Sequence, residues 1–155
     1  MMTDLGLITA REIPLIGRFI DLLKDEQEAL RHANPEPLAK ISAAKVALVE
    51  QLNELEQARR AALGIGSEEK TRSAMEAWLL ANPTQPQVAS DWQTLLALAG
   101  EAKQLHELNA SLVALHLQQT SDALHILDSR RAENALYGSN GQAAAPSGSR
   151  LVDSA

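Results

Sequence analysis

The chain has 155 residues, of which 45% are hydrophobic, 22% charged and only 3% aromatic, and its formal net charge is -6. An acidic chain without a basic run is poorly suited to a nucleic-acid backbone, which requires clustered Lys and Arg. The absence of Cys excludes a disulfide framework, a thiolate nucleophile and a thiolate metal site. No apolar run approaches the roughly 20 residues of a membrane-spanning helix. Asp4 precedes every Lys and Arg, unlike the charged start of a secretory signal peptide. These features predict a cytoplasmic protein with one core-forming domain.

Ala, Leu, Glu and Gln dominate, β-branched residues are scarce, and no long segment alternates apolar with polar, so the chain reads as all-α. The first helix is expected to start between Thr9 and Pro14. Thr9 and Glu12 have capping-box spacing, Ile8 and Ile13 are placed as a hydrophobic staple, and Pro14 fits a first turn. Its apolar face comprises Leu15, Ile16, Phe19, Ile20, Leu22, Leu23 and Leu30, and Asn34-Pro35-Glu36-Pro37 breaks the chain. The second helix is predicted from Pro35 or Pro37 to Leu63. Leu38, Ile41, Leu48, Leu52 and Leu55 follow coiled-coil spacing. Lys45 takes one seam position, with its amine expected to reach water past an apolar stem. Gly64-Ile65-Gly66 supplies the stop.

A shorter helix follows, with Ser67 as its N-cap and Glu68 and Glu69 at the positive end of the dipole. Met75, Trp78 and Leu79 give it an inward face, and Asn82 to Pro86 form a loop. Trp78 and Trp92 flank that loop, either as core or as partner anchors. Ser90 and Gln93, again at capping-box spacing, open the last helix. From Asp91 to about Arg131 there is no Pro and Gly100 is the sole Gly. Such a helix is about 60 Å long, against roughly 36 to 42 Å for the first two. The predicted fold is an antiparallel helical bundle or coiled coil of three to four helices with one long C-terminal helix, spanning residues 1–137. Residues 138–155 are small and polar, and are expected to form a flexible, disordered tail.

Catalytic patterns are missing. None of His32, His106, His116 and His125 pairs with another at helical spacing. Asp122 and His125 make one carboxylate-x-x-His step, where a bundle di-metal site needs two. There is no H-E-x-x-H, G-x-S-x-G or phosphate-loop motif. No enzymatic activity, metal or cofactor is expected.

The long helix carries the informative pattern. Leu105, Leu108, Leu112 and Leu115 recur at three-four-three spacing. Beside them lie Asn109, Val113, His116, Thr120, Leu124 and Leu127. One reading is an ordinary bundle seam, in which Asn109 and His116 are satisfied polar groups that fix register. The other starts from the length mismatch: a stripe without a partner inside the chain is an exposed apolar patch, and such patches mark binding sites for helices.

Three segments carry a family resemblance: Asn109-Ala110-Ser111-Leu112-Val113, Ala123-Leu124-His125-Ile126-Leu127, and Ala135-Leu136-Tyr137-Gly138 with Gly141-Gln142. They resemble the C-terminal half of the FlgN family, flagellar type III export chaperones for the hook-filament junction proteins FlgK and FlgL. The stretch from Lys45 to Arg60 is also similar to that family. Ala110 stands where the family often has Gly. The resemblance implies an all-helical chaperone that covers the helix-forming terminal segments of FlgK and FlgL, with Asn109, Leu112, Val113, His116, Thr120, Leu124 and Leu127 as the client-binding residues. It also implies that Leu136, Tyr137 and Gly138 dock on the cytoplasmic domain of the export gate; the alternative is that Tyr137 is a helix-end tyrosine folded back on the bundle. A helical scaffold whose long helix pairs with its own copy is the alternative, and a weak homodimer is compatible with either.

Overall fold

The computed structural model describes residues 3–136. Four helices account for most of them: α1 (Asp4–Arg31), α2 (Leu38–Leu63), α3 (Thr71–Ala81) and α4 (Pro86–Leu136). No strand occurs among the described residues. The chain divides into two units, one ending at Leu112 and one beginning at Val113. The tail expected from Gly138 onward lies outside the described residues.

Three helix starts differ from expectation. α1 begins at Asp4, where Thr3 caps it by accepting the Gly6 N–H at 3.1 Å. Thr9 and Glu12 have the spacing of a cap but other uses. The Thr9 hydroxyl donates to the Leu5 carbonyl at 2.7 Å inside the helix, and Glu12 pairs with a cation on α2. Pro14 lies inside α1, where its missing N–H leaves the Ala10 carbonyl without its intrahelical donor. Likewise α4 begins at Pro86 rather than near Ser90. Proline suits the first helical position because its N–H would have no partner there and its φ is already helical.

α3 also starts later than Ser67. Arg60 donates to the carbonyls of Gly66 at 2.6 Å and Glu69 at 3.0 Å, which holds that segment as a turn. The end of α2 matches expectation: Gly64 adopts φ +68°, and the Ile65 N–H returns to the Arg60 carbonyl at 3.1 Å, as in a glycine-terminated helix.

Packing of the first unit follows from three sets of contacts. Glu12 of α1 meets Arg59 of α2, and Glu26 meets Lys45. Advancing along α1 retreats by the same number of residues along α2, so the two helices are antiparallel in a fixed register. Leu5 clusters with Met75, Val88, Trp92 and Leu95, while Ile20 and Leu23 cluster with Ala102. α4 therefore runs parallel to α1 and antiparallel to α2. Leu23 and Met75 are fully buried, each contributing roughly 1.5–3 kcal/mol by leaving water. Trp92 is buried in the first cluster and Trp78 packs against it, which places both tryptophans in the core.

Two polar knots cross this core. Arg59, 2% exposed, ion-pairs with Glu12 and with Glu56. Its guanidinium lies 5.1 Å from the Trp92 ring centroid, a cation–π geometry. Thr71 at the start of α3 donates to Glu56 at 2.5 Å. Burial draws the Arg59 guanidinium well below its usual range, to about 10, so it remains a cation at neutral pH. In the second knot, Lys45 donates to both oxygens of Glu26 at 3.0 and 3.2 Å. The Lys45 amine therefore ends on a half-covered carboxylate of α1 rather than in open water.

Candidate functional site

The second unit is described from Val113 to Leu136, wholly α-helical. The sequence explains its regularity. It has neither Gly nor Pro, and Ala, Leu and Gln are strong helix formers. Its hydrogen-bonding side chains also bond along the helix: Gln118 donates to Asp122 at 3.0 Å and the Thr120 hydroxyl to the His116 carbonyl at 2.9 Å.

Apolar groups on this helix remain in water. Leu117 is 66% exposed, Leu124 and Leu127 each 56%, and Val113 43%. Val113, Leu117, Thr120, Leu124 and Leu127 recur at four-three-four-three spacing, the seam of a coiled coil. His116 borders that seam and is half-buried. Leu117 is the residue that sequence reasoning passed over. The stripe had been traced through His116, one position away, although counting strict heptads from Val113 reaches Leu117. Leu115 and Ile126, at 51% and 55% exposed, project from the opposite side of the helix.

Asn109 stands apart from the exposed residues of the stripe. It is 2% exposed, and its amide donates to the Leu23 carbonyl and to Glu26, both at 2.9 Å. It is a buried polar group of the bundle seam, joined to the Lys45–Glu26 knot, and not part of an open client-binding stripe. Among the described residues it is the last buried one in the chain, and Leu112 is half-buried in the same unit. Of the remaining expected client-binding residues, Val113, Thr120, Leu124 and Leu127 are exposed on one stripe of the second unit, with His116 at its border. Leu136 is exposed at the helix end, whereas Tyr137 and Gly138 lie outside the described residues.

The arrangement offers apolar contact to a partner. Asp122 is engaged by Gln118. Among the described residues no group of three or more His, Asp or Glu is placed to hold a metal ion. The seam itself holds no Lys, Arg, Asp or Glu: between Val113 and Leu127 the one such residue is Asp122, on the far side of the helix. The helix therefore presents an exposed apolar stripe of the kind that takes another helix.

The family model described as FlgN protein matches residues 1–145. The chain belongs to the FlgN family. Neither a curated protein nor a solved structure matches it. FlgN proteins are flagellar export chaperones, and an exposed helical seam on a chain of this family is a surface of the type a chaperone presents. No helix among the described residues is long and apolar enough to cross a membrane.

Proposed function

We propose that this chain is a cytoplasmic, non-enzymatic chaperone for the hook-filament junction proteins FlgK and FlgL. It covers their helix-forming terminal segments before assembly, prevents premature association and delivers them to the cytoplasmic domain of the flagellar type III export gate. The observation that carries this reading is the seam of Val113, Leu117, Thr120, Leu124 and Leu127, exposed on a helix of a FlgN-family chain. A client segment that is unstructured alone folds against this seam, and the ordering cost holds its affinity down. Handover needs reversibility, which a binding free energy of about -8 to -10 kcal/mol provides. Leu136, Tyr137 and Gly138 lie nine to eleven residues beyond Leu127, the last seam residue, and are the gate-docking residues of this reading.

The test is a pull-down of the C-terminal segments of FlgK and FlgL with the full chain and with Leu124→Asp. The wild-type chain retains both segments, and the variant loses them while its far-ultraviolet circular dichroism stays unchanged. Retention by the variant would remove the seam from the site. A stable dimer that refuses both segments would identify a self-associating scaffold instead.

A further inference from the structure

Within the first unit, α4 is held at two separate places. Near its start Val88, Trp92 and Leu95 are buried with Leu5 and Met75, and the Trp92 ring lies against the Arg59 guanidinium. Farther along the hold is slighter. Ala102 is buried against Ile20 and Leu23, with Leu98 and Leu105 half-buried beside it. Ala99 and His106 continue the four-three spacing that runs from Leu95 through Ala102 to Asn109, yet both are exposed. Polar groups supply the rest of this second hold. The Asn109 amide donates to the Leu23 carbonyl and to Glu26. Lys24 and Glu101 approach to 3.8 Å with both side chains about half exposed, an ion pair of little worth. Asn109 Oδ1 is buried without a donor among the described residues, a cost that contact with water would remove. Between the two places lies Gly100, the one glycine of α4. Beyond its chain neighbours and its own helix backbone, no described atom comes within 4 Å of where a Cβ would sit. Packing therefore does not call for glycine here, and glycine weakens a helix interior relative to alanine.

We infer that residues 101–112 of α4 form a latched flap, which lifts from α1 about Gly100 with Asn109 as its latch while the start of α4 stays in place. Such an opening is sub-global, of the kind that folded domains undergo in contiguous blocks. It uncovers Ile20 and Leu23, which the closed state leaves 4% and 0% exposed. α1 thereby carries an apolar surface that is accessible only when the latch is released. The opening lies within the first unit and takes place with or without a client.

The chain has no cysteine, so a single introduced thiol reports its own burial. Ala102→Cys and Val88→Cys place one thiol in each buried cluster of the full chain. Labelling with a thiol-specific disulfide reagent, normalised to the rate in denaturant, reads how often each thiol is uncovered. The thiol of Ala102→Cys is expected to react at least about tenfold faster than that of Val88→Cys, as an opening cheaper by 1.4 kcal/mol gives. Adding Asn109→Ala is expected to speed the first by about tenfold more and to leave the second within about twofold. Adding Gly100→Ala is expected to slow the first about fourfold, the scale of the helix penalty of glycine. In the unsubstituted chain, amide hydrogen exchange is expected to be about tenfold faster over residues 101–112 than over residues 88–95. Equal acceleration of both thiols by Asn109→Ala would mean that the domain opens as a whole and would overturn the flap. Acceleration of neither would remove the latch, and no slowing by Gly100→Ala would remove the hinge. Equal amide protection of the two stretches would overturn the inference without any substitution.

Discussion

Arg59 of α2 and Glu12 of α1 form an ion pair with side chains only 2% and 7% exposed. This contact joins the start of α1 to the end of α2, and Glu56 extends it to Thr71 of α3. Glu12→Ala leaves the guanidinium with the partly exposed Glu56 as its remaining carboxylate, beside the Trp92 ring. Breaking a buried pair from one side costs about 3–5 kcal/mol, which thermal denaturation will show as a large fall in Tm. The deficit is expected to be the same at pH 6 and pH 9. The guanidinium, brought down to about 10 by burial, keeps its proton in folded and unfolded states throughout that window, so this group contributes no slope there. A deficit that disappears by pH 9 would contradict the assignment. Replacing both partners with apolar residues, as in Glu12→Leu with Arg59→Met, is expected to cost less than Glu12→Ala, because no charge is then stranded.

Asn109 separates bundle from binding strip. Asn109→Ala removes its hydrogen bonds to Leu23 and Glu26, an expected loss of about 1–3 kcal/mol of stability. Client affinity is expected to stay within about twofold, since a buried side chain offers no surface to a partner. Chemical denaturation and fluorescence titration of the same variant read the two quantities independently. Unchanged stability with lost binding would return Asn109 to the client site.

Local chemistry made the helical fold legible, but long-range chemistry hid its details. Gly64 announces the end of α2 because its left-handed φ of +68° suits a residue without Cβ. The start of α1 was misplaced because Thr9 and Glu12 imitate a capping box, and nothing nearby reveals that Glu12 is committed to Arg59, 47 residues away. Lys45 posed the same difficulty, with its partner Glu26 on another helix. The candidate strip fared better because a helical face can be read from spacing alone. Whether Asn109 belonged to it could not be read so, since its burial depends on Leu23 and Glu26 of α1, not on the period of α4.

Leu117 and Leu115 offer an internal comparison within one turn of helix. Both are exposed leucines, 66% and 51% respectively, but only Leu117 lies in the heptad of Val113, Thr120, Leu124 and Leu127. Leu117→Ala is expected to weaken client binding by about 1–3 kcal/mol, the scale of losing a buried leucine side chain at an interface. Leu115→Ala is expected to change it by less than about 0.5 kcal/mol. Equal effects from the two variants would mean that the client wraps the helix rather than lying along one seam.

Tyr137 tests delivery separately from capture. It directly follows Leu136, the last described residue of α4, and is the one Tyr of the chain. An aromatic side chain brings large contact area at low rotamer cost, which suits brief recognition. Tyr137→Ala is expected to leave the Kd for the FlgK and FlgL segments unchanged, because the seam ends at Leu127. Secretion of both proteins is expected to fall about tenfold, as loss of a single aromatic anchor worth about 1.4 kcal/mol would produce. Immunoblots of secreted and cell-associated FlgK and FlgL distinguish the two steps: retained protein with intact capture supports gate docking, whereas normal secretion assigns that step to other residues.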